Sequence, residues 1–258
     1  MTANHVLVQA HRGYSGVYPE NTMRSFAEAV ALGVDILELD IHISSDGVVV
    51  VIHDDNLDRT TNGSGPVIGK TAAELKALDA GVWRGPEFAG ERLPTLDEVL
   101  NRFSNQVQFN IEIKSVTSGY PYWYETLQPA LASIDQRNLW SRCMFISFDV
   151  QALLAVLEYN QDAFTAFLDW RSGQERSKQK LLQKAGIKGW HPHPSVARRE
   201  LVEDAHDLGL LVLCGAGKRL DNLEQEVETC LELGVDGIST NYPEHVITLL
   251  RERGRWKC

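Results

Sequence analysis

Eight short apolar runs recur along this 258-residue chain, and stretches with helical patterning separate most of them. The runs occupy residues 6–11, 34–40, 107–113, 143–147, 164–168, 187–191, 210–214 and 235–240. Alternation of short buried strands with helices is typical of a parallel sheet that helices cover. Eight such units predict an α/β fold in which the sheet closes into a (β/α)8 TIM barrel, and the chain length is normal for one such domain.

Capping residues mark the boundaries of several helices. Asn21 is the predicted N-cap of the first helix, and Gly33 is predicted to end it. Two further helix starts have the spacing of a capping box, at Thr71 with Glu74 and at Thr95 with Glu98. A helix directly after the first strand agrees with the repeating unit of a parallel barrel.

A further apolar run, residues 48–53, does not fit this alternation. Only four residues separate it from the second strand, which is too few for a parallel crossover, so the two runs are predicted to form a hairpin. If the turn centres between Asp46 and Gly47, paired residue numbers sum to 93 and His53 lies opposite Asp40. A shift of one residue would still return His53 towards the carboxylates of the second strand.

Residues 54–94 form a long connection before the next strand, with turn signals at 63–66 and 83–86. This connection predicts a small insertion beside the active face of the barrel. The sequence shows no linker, low-complexity tract or internal repeat elsewhere, so residues 1–258 are predicted to form a single domain.

The formal net charge of -10 argues against a nucleic-acid-binding surface, because such a surface needs a basic patch. Residues 1–10 show no basic start followed by an apolar core, and no stretch approaches the roughly 20 apolar residues that span a bilayer. The wide spacing of the cysteines favours reduced thiols at Cys143, Cys214, Cys230 and Cys258. We therefore expect a cytoplasmic protein without membrane insertion, and the sequence leaves its oligomeric state open.

Polar side chains with ligating or acid-base groups lie where several apolar runs end. They are His11, Arg12, Glu38, Asp40, His53, Glu112 and Lys114. Because side chains alternate along a strand, Glu38 and Asp40 are predicted to share one face of their strand. The same alternation puts Asn110, Glu112 and Lys114 on one face of theirs. A histidine pair, three carboxylates and two cations are therefore expected to converge.

This combination suits a metal-assisted phosphoester site. Glu38, Asp40 and Glu112 offer hard oxygen ligands for Mg²⁺ or Ca²⁺, and such an ion neutralises charge that develops on a phosphoryl oxygen. Arg12 is predicted to bind the phosphate through its guanidinium and Lys114 through its point charge. Taken singly, each carboxylate is more simply explained by an ion pair with one of these cations, but the whole set favours a metal.

His11 and His53 are the predicted catalytic residues. The unperturbed pKa of histidine, about 6.5, lies close to neutral pH, as a general acid and a general base require. A lone histidine at a strand end is more often structural, so this interpretation depends on the pair and on the neighbouring carboxylates. The sequence does not assign which histidine is the acid and which is the base.

An ordered set of motifs resembles the glycerophosphodiester phosphodiesterases. The set comprises His11-Arg12-Gly13, Pro19-Glu20-Asn21-Thr22, Glu38-Leu39-Asp40, Asp46-Gly47, His53-Asp54, Arg59-Thr60-Thr61, Leu93-Pro94-Thr95-Leu96 and Asn110-Ile111-Glu112-Ile113-Lys114. The resemblance continues more loosely through Ser147-Phe148-Asp149 and Gly234-Val235-Asp236-Gly237-Ile238. An ordered set of this length is far more specific than one short motif.

The resemblance implies a hydrolase of lipid and glycerol metabolism that converts a small-molecule glycerophosphodiester to sn-glycerol 3-phosphate and an alcohol. It implies one divalent cation on Glu38, Asp40 and Glu112, with Mn²⁺ as a candidate beside Mg²⁺ and Ca²⁺. It also implies an insertion at the place where residues 54–94 stand. Attack by water would give a one-step reaction, whereas attack by the neighbouring glycerol hydroxyl would form a cyclic phosphate first.

Two segments depart from the family pattern. Residues 213–218, which include Lys218, replace a tryptophan-threonine-valine-asparagine segment that lines the glycerol pocket, and Asn241 stands where an aspartate is usual. The first departure leaves open a related phosphodiesterase that acts on lysophospholipids or sugar phosphodiesters. A noncatalytic phosphate-binding barrel is the third alternative, although it would not need the acid-base groups that this chain has.

Several neighbouring residues receive a simpler interpretation. Glu20 is a candidate for orienting a catalytic group, and Arg59 is interpreted as loop structure. His42 is left out of the predicted site. His191 and His193 are interpreted as loop or pocket-lining residues, because a second metal site would need more ligands than this segment has.

Overall fold

The computed structural model describes residues 5–115, 119–170, 175–217 and 219–256, and these contain nine strands of a single sheet. The strands are β1 (Leu7–Ala10), β2 (Ile36–Ile43), β3 (Val49–Val51), β4 (Gln108–Ile113), β5 (Cys143–Ser147), β6 (Phe164–Asp169), β7 (Gly189–Pro192), β8 (Leu211–Gly215) and β9 (Gly237–Thr240). The pairing of β2 with β3 is antiparallel, and every other strand pair is parallel. The pairing of β1 with both β2 and β9 closes the barrel. The predicted (β/α)8 TIM barrel is confirmed.

Helices alternate with these strands and cover the outside of the barrel. They are α1 (Met23–Ala31), α2 (Ala72–Ala77), α3 (Leu96–Phe103), α4 (Trp123–Gln136), α5 (Val150–Tyr159), α6 (Glu175–Lys184), α7 (Arg199–Asp207), α8 (Leu223–Leu233) and α9 (Pro243–Glu252). No helix in the described part of the chain combines the length and the apolar character that crossing a membrane requires.

The alternation of side chains along each strand separates the main core from the barrel interior. In β2 and β4, Leu37, Leu39, Phe109 and Ile111 belong to the large apolar core that includes residues of the surrounding helices. The intervening residues belong to the interior, where Ile36, Met144, Ile146, Ala166 and Leu213 form a small apolar cluster. Above this cluster, the side-chain amides of Asn110 and Gln9 are joined by a hydrogen bond of 2.7 Å. The inner faces therefore change from apolar to polar towards the carboxyl ends of the strands.

The hairpin of β2 and β3 is present, but the predicted register is wrong by one residue. Ile41 pairs with Val51 and Ile43 pairs with Val49, so paired numbers sum to 92 rather than 93. The amide of Ile52 donates to the carbonyl of Asp40, and β3 ends before His53. The side chain of His53 thus extends from the loop after the strand instead of facing Asp40 across the hairpin.

The predicted helix caps agree with the structure at two of three starts. Thr71 with Glu74 and Thr95 with Glu98 form complete capping boxes. At α1 the N-cap is Thr22, whose hydroxyl accepts from the amide of Ser25, and not Asn21. Asn21 has a left-handed backbone, with φ of 56°, which differs from the extended conformation that an N-cap residue adopts.

Residues 54–94 lie between β3 and α3 and pack around a small apolar core of their own. That core, which we call the satellite core, consists of Val50, Ile52, Leu57, Val67, Leu75, Ala80 and Leu93. Because Val50 and Ile52 come from the hairpin, the satellite core fastens this segment to the strand that leads to His53. Cys143, Cys214 and Cys230 are free thiols, and Cys258 lies outside the described residues.

Candidate active site

Three carboxylates meet inside the barrel where β2 and β4 approach their carboxyl ends. Glu38, Asp40 and Glu112 are all buried, and each has an oxygen within 4.8 Å of an oxygen of the other two. Asp40 and Glu112 are register partners on adjacent parallel strands, which explains their proximity. Glu38 lies two residues before Asp40 and therefore points to the same interior. The structure brings together all three carboxylates that the strand alternation singled out.

Two cations balance this cluster unevenly. The ammonium of Lys114 lies 2.6 Å from Asp40 Oδ1 and 2.6 Å from Glu112 Oε1. Burial raises the pKa of Asp40, but Lys114 and Arg12 outweigh it and hold that pKa well below the ordinary value. Burial and the charges of Asp40 and Glu112 raise the pKa of Glu38 well above its ordinary value. One carboxylate of the cluster is therefore left poorly compensated by protein charges.

This donor set fits a hard divalent cation. Three buried carboxylates supply oxygen ligands of the type that Mg²⁺ and Ca²⁺ prefer. Burial and repulsion from Asp40 and Glu112 raise the pKa of Glu38 more than Arg12 and Lys114 lower it. An added cation would relieve that repulsion, because an opposite charge nearby favours the ionised form of a carboxyl group.

A tight turn after β1 carries His11 and Arg12 to the cluster. Arg12 and Gly13 both have left-handed backbones, with φ of 57° and 77°. A Cβ atom at Gly13 would lie 2.3 Å from the hydroxyl oxygen of Ser25, so only glycine fits there. The turn directs the backbone amide of Arg12 onto Glu38 Oε2 at 2.8 Å. The local geometry of this motif thus connects β1 to the carboxylates of β2.

Asn21 braces the cluster instead of capping α1. Its side-chain amide donates to Asp40 Oδ2 at 2.8 Å, and its backbone amide donates to the carbonyl of Arg12. A left-handed backbone in a residue other than glycine costs of order 1 kcal/mol and occurs often at functional sites. Arg12 and Asn21 both adopt it beside the same carboxylate.

Both predicted catalytic histidines are held through Nδ1. His11 Nδ1 lies 2.7 Å from the amide oxygen of Asn241, and His53 Nδ1 lies 2.5 Å from Asp54 Oδ1. Because a carboxylate or an amide oxygen only accepts, Nδ1 is the donor in each pair. The asparagine that departs from the family pattern therefore supplies a neutral acceptor to one histidine, while the other has a charged one.

The carbonyl of His53 is held as well. Nε2 of His42, a residue outside the predicted site, lies 3.1 Å from this carbonyl oxygen, and the His42 ring packs edge-on against Tyr120. Burial lowers the pKa of His42 to about 4, so the ring is neutral at physiological pH. The carbonyl accepts, so Nε2 is the donor. Nothing in the sequence pattern distinguishes this role from that of an ordinary buried histidine.

A network that sequence reasoning did not find joins Arg12 to His53. Arg59, for which the sequence predicts only a loop role, forms ion pairs with both Glu20 and Asp54. Glu20 also accepts from Arg12 at 2.9 Å, and Asp54 accepts from His53. The only signal in the sequence was the presence of these residues within the motifs that carry the resemblance.

The barrel mouth forms a cavity of about 860 Å³, and its lining includes both histidines that are predicted to be catalytic, together with Arg12, Glu38, Glu112 and Lys114. On the side of β5 to β8 the lining is largely apolar and includes Phe148, Leu168, Trp170, Pro192 and Leu213. The rings of Phe148 and Trp170 pack at 5.0 Å, and Trp170 is 60% exposed. Lys218 lies outside the described residues.

A closed barrel with buried carboxylates and anchored histidines at its carboxyl-end mouth has the arrangement of an enzyme active site. The model of the glycerophosphoryl diester phosphodiesterase family matches residues 11–245. The chain belongs to this family, whose named relatives are enzymes.

The relatives match the chain over nearly its whole length. A glycerophosphodiester phosphodiesterase from Caldanaerobacter subterraneus subsp. tengcongensis is 37% identical over 96% of this chain and 99% of its own length. A glycerophosphoryl diester phosphodiesterase from Silicibacter pomeroyi has a similar fold, with a TM-score of 0.86, 29% identity and coverage of 98% and 96% of the two chains. An Oleispira antarctica phosphodiesterase, solved with the product sn-glycerol-3-phosphate, has a TM-score of 0.84, 30% identity and coverage of 95% and 96%.

We predict that His191 makes the protein less stable in mild acid. Burial lowers the pKa of His191 to about 3, whereas the ordinary value is 6.5. Below pH 6.5 the unfolded chain binds a proton that the folded chain excludes, so the free energy of unfolding falls by up to about 1.4 kcal/mol per pH unit until the pH nears 3.

The test compares the free energy of unfolding at pH 7 and pH 5, by urea denaturation, for the original chain and for His191→Asn. The variant should lose less stability between the two pH values. His245→Asn, at an exposed position of α9, is the control and should behave like the original chain. Equal losses in the original chain and in His191→Asn would contradict the prediction.

Proposed function

We propose that this chain hydrolyses glycerophosphodiesters to sn-glycerol 3-phosphate and an alcohol, in a metal-dependent reaction with histidine acid-base catalysis. The observation that carries the proposal is the convergence of a buried carboxylate triad with His11 and His53 at one barrel mouth. Family membership supports the same reaction class. We place the protein in the cytoplasm as a single domain with an insertion at residues 54–94, in keeping with its free thiols.

Glu38, Asp40 and Glu112 are the proposed ligands of one divalent cation, Mg²⁺ or Ca²⁺, with Mn²⁺ as a further candidate. When bound, the ion supplies positive charge to a phosphoryl oxygen. Lys114 is shared between Asp40 and Glu112, so its ammonium holds these two carboxylates side by side. Lys114 engages Oε1 of Glu112 and the amide of Arg12 engages Oε2 of Glu38, so the second oxygen of each is left for a ligand. Both oxygens of Asp40 have a protein partner, and each keeps a further lone pair.

Arg12 and Lys114 are the proposed phosphate-binding residues. Arg12 Nε is buried, has no hydrogen-bond partner among the described residues, and lies 3.5 Å from Asp40 Oδ2. Glu20 accepts from Arg12 Nη1, which leaves other guanidinium donors for phosphate oxygens. A guanidinium fork binds a phosphate through two parallel hydrogen bonds, and the ammonium of Lys114 adds a second positive charge.

His11 and His53 are the proposed general acid and base. With Nδ1 donating to Asn241 or Asp54, the neutral ring has its lone pair on Nε2, which is the atom that exchanges a proton. One ring accepts the proton of the attacking hydroxyl, and the other donates a proton to the leaving oxygen. Water and the glycerol hydroxyl remain alternative nucleophiles, and either histidine fits either role.

A lysophospholipid is the second candidate substrate, because the acyl chain of its glycerol moiety suits the apolar β5 to β8 side of the mouth. Phe148, Leu168, Trp170, Pro192 and Leu213 line that side, and the exposed Trp170 extends the apolar surface outwards. The total cavity of about 860 Å³ is in the upper part of the range of ligand pockets, roughly 300–1,000 Å³.

Replacement of either histidine should remove catalysis and leave the fold intact. His11→Ala and His53→Ala are each expected to lower kcat by about 10²- to 10⁴-fold, the usual contribution of a general acid or base. The measurement is steady-state hydrolysis of glycerophosphocholine, with circular dichroism as the check on folding. His245→Ala, on the exposed side of α9, should retain its activity. A folded variant at His11 or His53 with nearly unchanged turnover would refute the assigned role.

Removal of divalent ions should abolish hydrolysis. After exhaustive chelation, turnover is expected to return on addition of Mg²⁺, Ca²⁺ or Mn²⁺, and the returning ion should also raise the Tm because it binds only the folded chain. Glu38→Gln should weaken both effects, since it replaces a proposed ligand. Full turnover of the chelated protein, or an equal ion-induced rise in Tm for Glu38→Gln, would overturn the ligand assignment.

The two candidate substrates predict different responses to Trp170→Ala. For glycerophosphocholine, kcat/KM should change little, whereas for lysophosphatidylcholine it should fall several-fold because apolar contact area is lost. A coupled choline assay measures both substrates under the same conditions. An original chain that hydrolyses only glycerophosphocholine would exclude the second candidate.

A further inference from the structure

We propose that Arg59 is a positioning residue that sets the geometry of Arg12 and His53 together. This inference rests on the proposed function of that site. Arg59 belongs to the segment 54–94 and reaches across to Glu20, which is 39 positions away in the chain. Its guanidinium lies between two carboxylates, and each carboxylate holds one residue of the proposed catalytic or phosphate-binding set.

One side of the guanidinium orients the imidazole of His53. Arg59 Nε donates to Asp54 Oδ2 at 2.6 Å, and Nη2 donates to Asp54 Oδ1 at 3.0 Å. This forked pair fixes the plane of the carboxylate. Because Asp54 Oδ1 also accepts from His53 Nδ1, the orientation of the ring follows from that plane. Without Arg59, the partly exposed Asp54 would keep only its bond to His53, and the plane of its carboxylate would no longer be fixed.

The other side of the guanidinium orients Arg12. Arg59 Nη1 donates to Glu20 Oε2 at 2.9 Å, and Nη2 donates to Glu20 Oε1 at 2.8 Å. Glu20 Oε1 also accepts from Arg12 Nη1 at 2.9 Å, and the Glu20 side chain is only 12% exposed. Glu20 therefore lies between two guanidinium groups. Loss of Arg59 would leave its carboxylate to Arg12 alone and would alter the position from which Arg12 binds the phosphate.

The ion pairs of Arg59 with Glu20 and Asp54 contribute more to the geometry of the site than to the free energy of unfolding. The Arg59 side chain is 43% exposed, and ion pairs at this degree of exposure add little to the stability of a protein. The satellite core already fastens segment 54–94 to the hairpin through apolar contacts. Arg59 bridges two carboxylates at the site and is not needed for packing, so it is suited to positioning Arg12 and His53.

The experiment measures kcat and KM for glycerophosphocholine in three variants. Asp54→Asn should mainly lower kcat, because it loosens the histidine, and Glu20→Gln should mainly raise KM, because it loosens the phosphate-binding arginine. Arg59→Ala should show both changes, each about 10-fold or more. Arg59→Lys should not restore activity, since one ammonium cannot form two forked pairs.

Chemical rescue separates positioning from a purely structural role. Millimolar guanidinium ion should restore part of the activity of Arg59→Ala, since it fits the space between Glu20 and Asp54, whereas at this concentration it would not restore activity to a merely destabilised fold. Arg253→Ala is the matched control, because Arg253 also bridges two carboxylates, Glu224 and Glu228. It lies at the end of α9 on the opposite face of the barrel and should keep its activity.

The outcomes separate this inference from the proposed function. No hydrolysis by the original chain across glycerophosphodiesters and lysophospholipids would refute the proposed function and the inference with it. If the original chain is active, unchanged kcat and KM in Arg59→Ala would overturn the inference alone. A loss of activity that guanidinium does not relieve, or full activity in Arg59→Lys, would also overturn it.

Discussion

The mutual repulsion of three buried carboxylates is the constraint on which the rest of the barrel mouth depends. Glu38, Asp40 and Glu112 lie on neighbouring strands, and burial prevents water from screening their charges. The surrounding polar groups are arranged to offset that cost. Lys114 is shared by two of the carboxylates, the backbone amide of Arg12 donates to the third, and an asparagine amide donates to Asp40. The left-handed turn after β1 exists because it delivers the Arg12 amide to this place.

The alternation of side chains along each strand, which separates the two faces of the barrel sheet, also positions the residues of the site. Along β2 and β4, alternate residues enter the helix-covered core, while the others line the interior. On β2 these interior residues change from Ile36 at the base to Glu38 and Asp40 at the mouth. Parallel pairing then places Asp40 beside Glu112. Packing and chemistry are therefore coupled through the register of one strand pair, because a slip of one residue would exchange the two faces of β2.

Local pattern was sufficient to predict the strands and the shared face of the carboxylates, since both depend on alternation within a few residues. The hairpin was predicted, but its register was not, because the turn of 44–48 pairs differently from a turn centred on residues 46 and 47. Asn21 is a residue type that often caps helices, yet its side-chain amide donates to Asp40. This contact depends on how close β2 lies to the turn after β1, and a local sequence pattern does not contain that information. The bridge from Arg59 to Glu20 spans 39 positions and depends on how the segment 54–94 folds back, which no short motif encodes.

The residues of the site are supported by two different apolar cores, the satellite core and the main core of the barrel. His53 and Arg59 belong to the segment that follows β3 and packs on the satellite core, whereas Glu38 and Glu112 lie on strands of the closed barrel and His11 directly follows one. A perturbation that loosens only the smaller unit would separate one imidazole from the carboxylates while the larger unit stays folded. We therefore expect inactivation to precede global unfolding, and substitutions at Leu57 or Leu75 are expected to alter turnover without touching a ligand-contacting group.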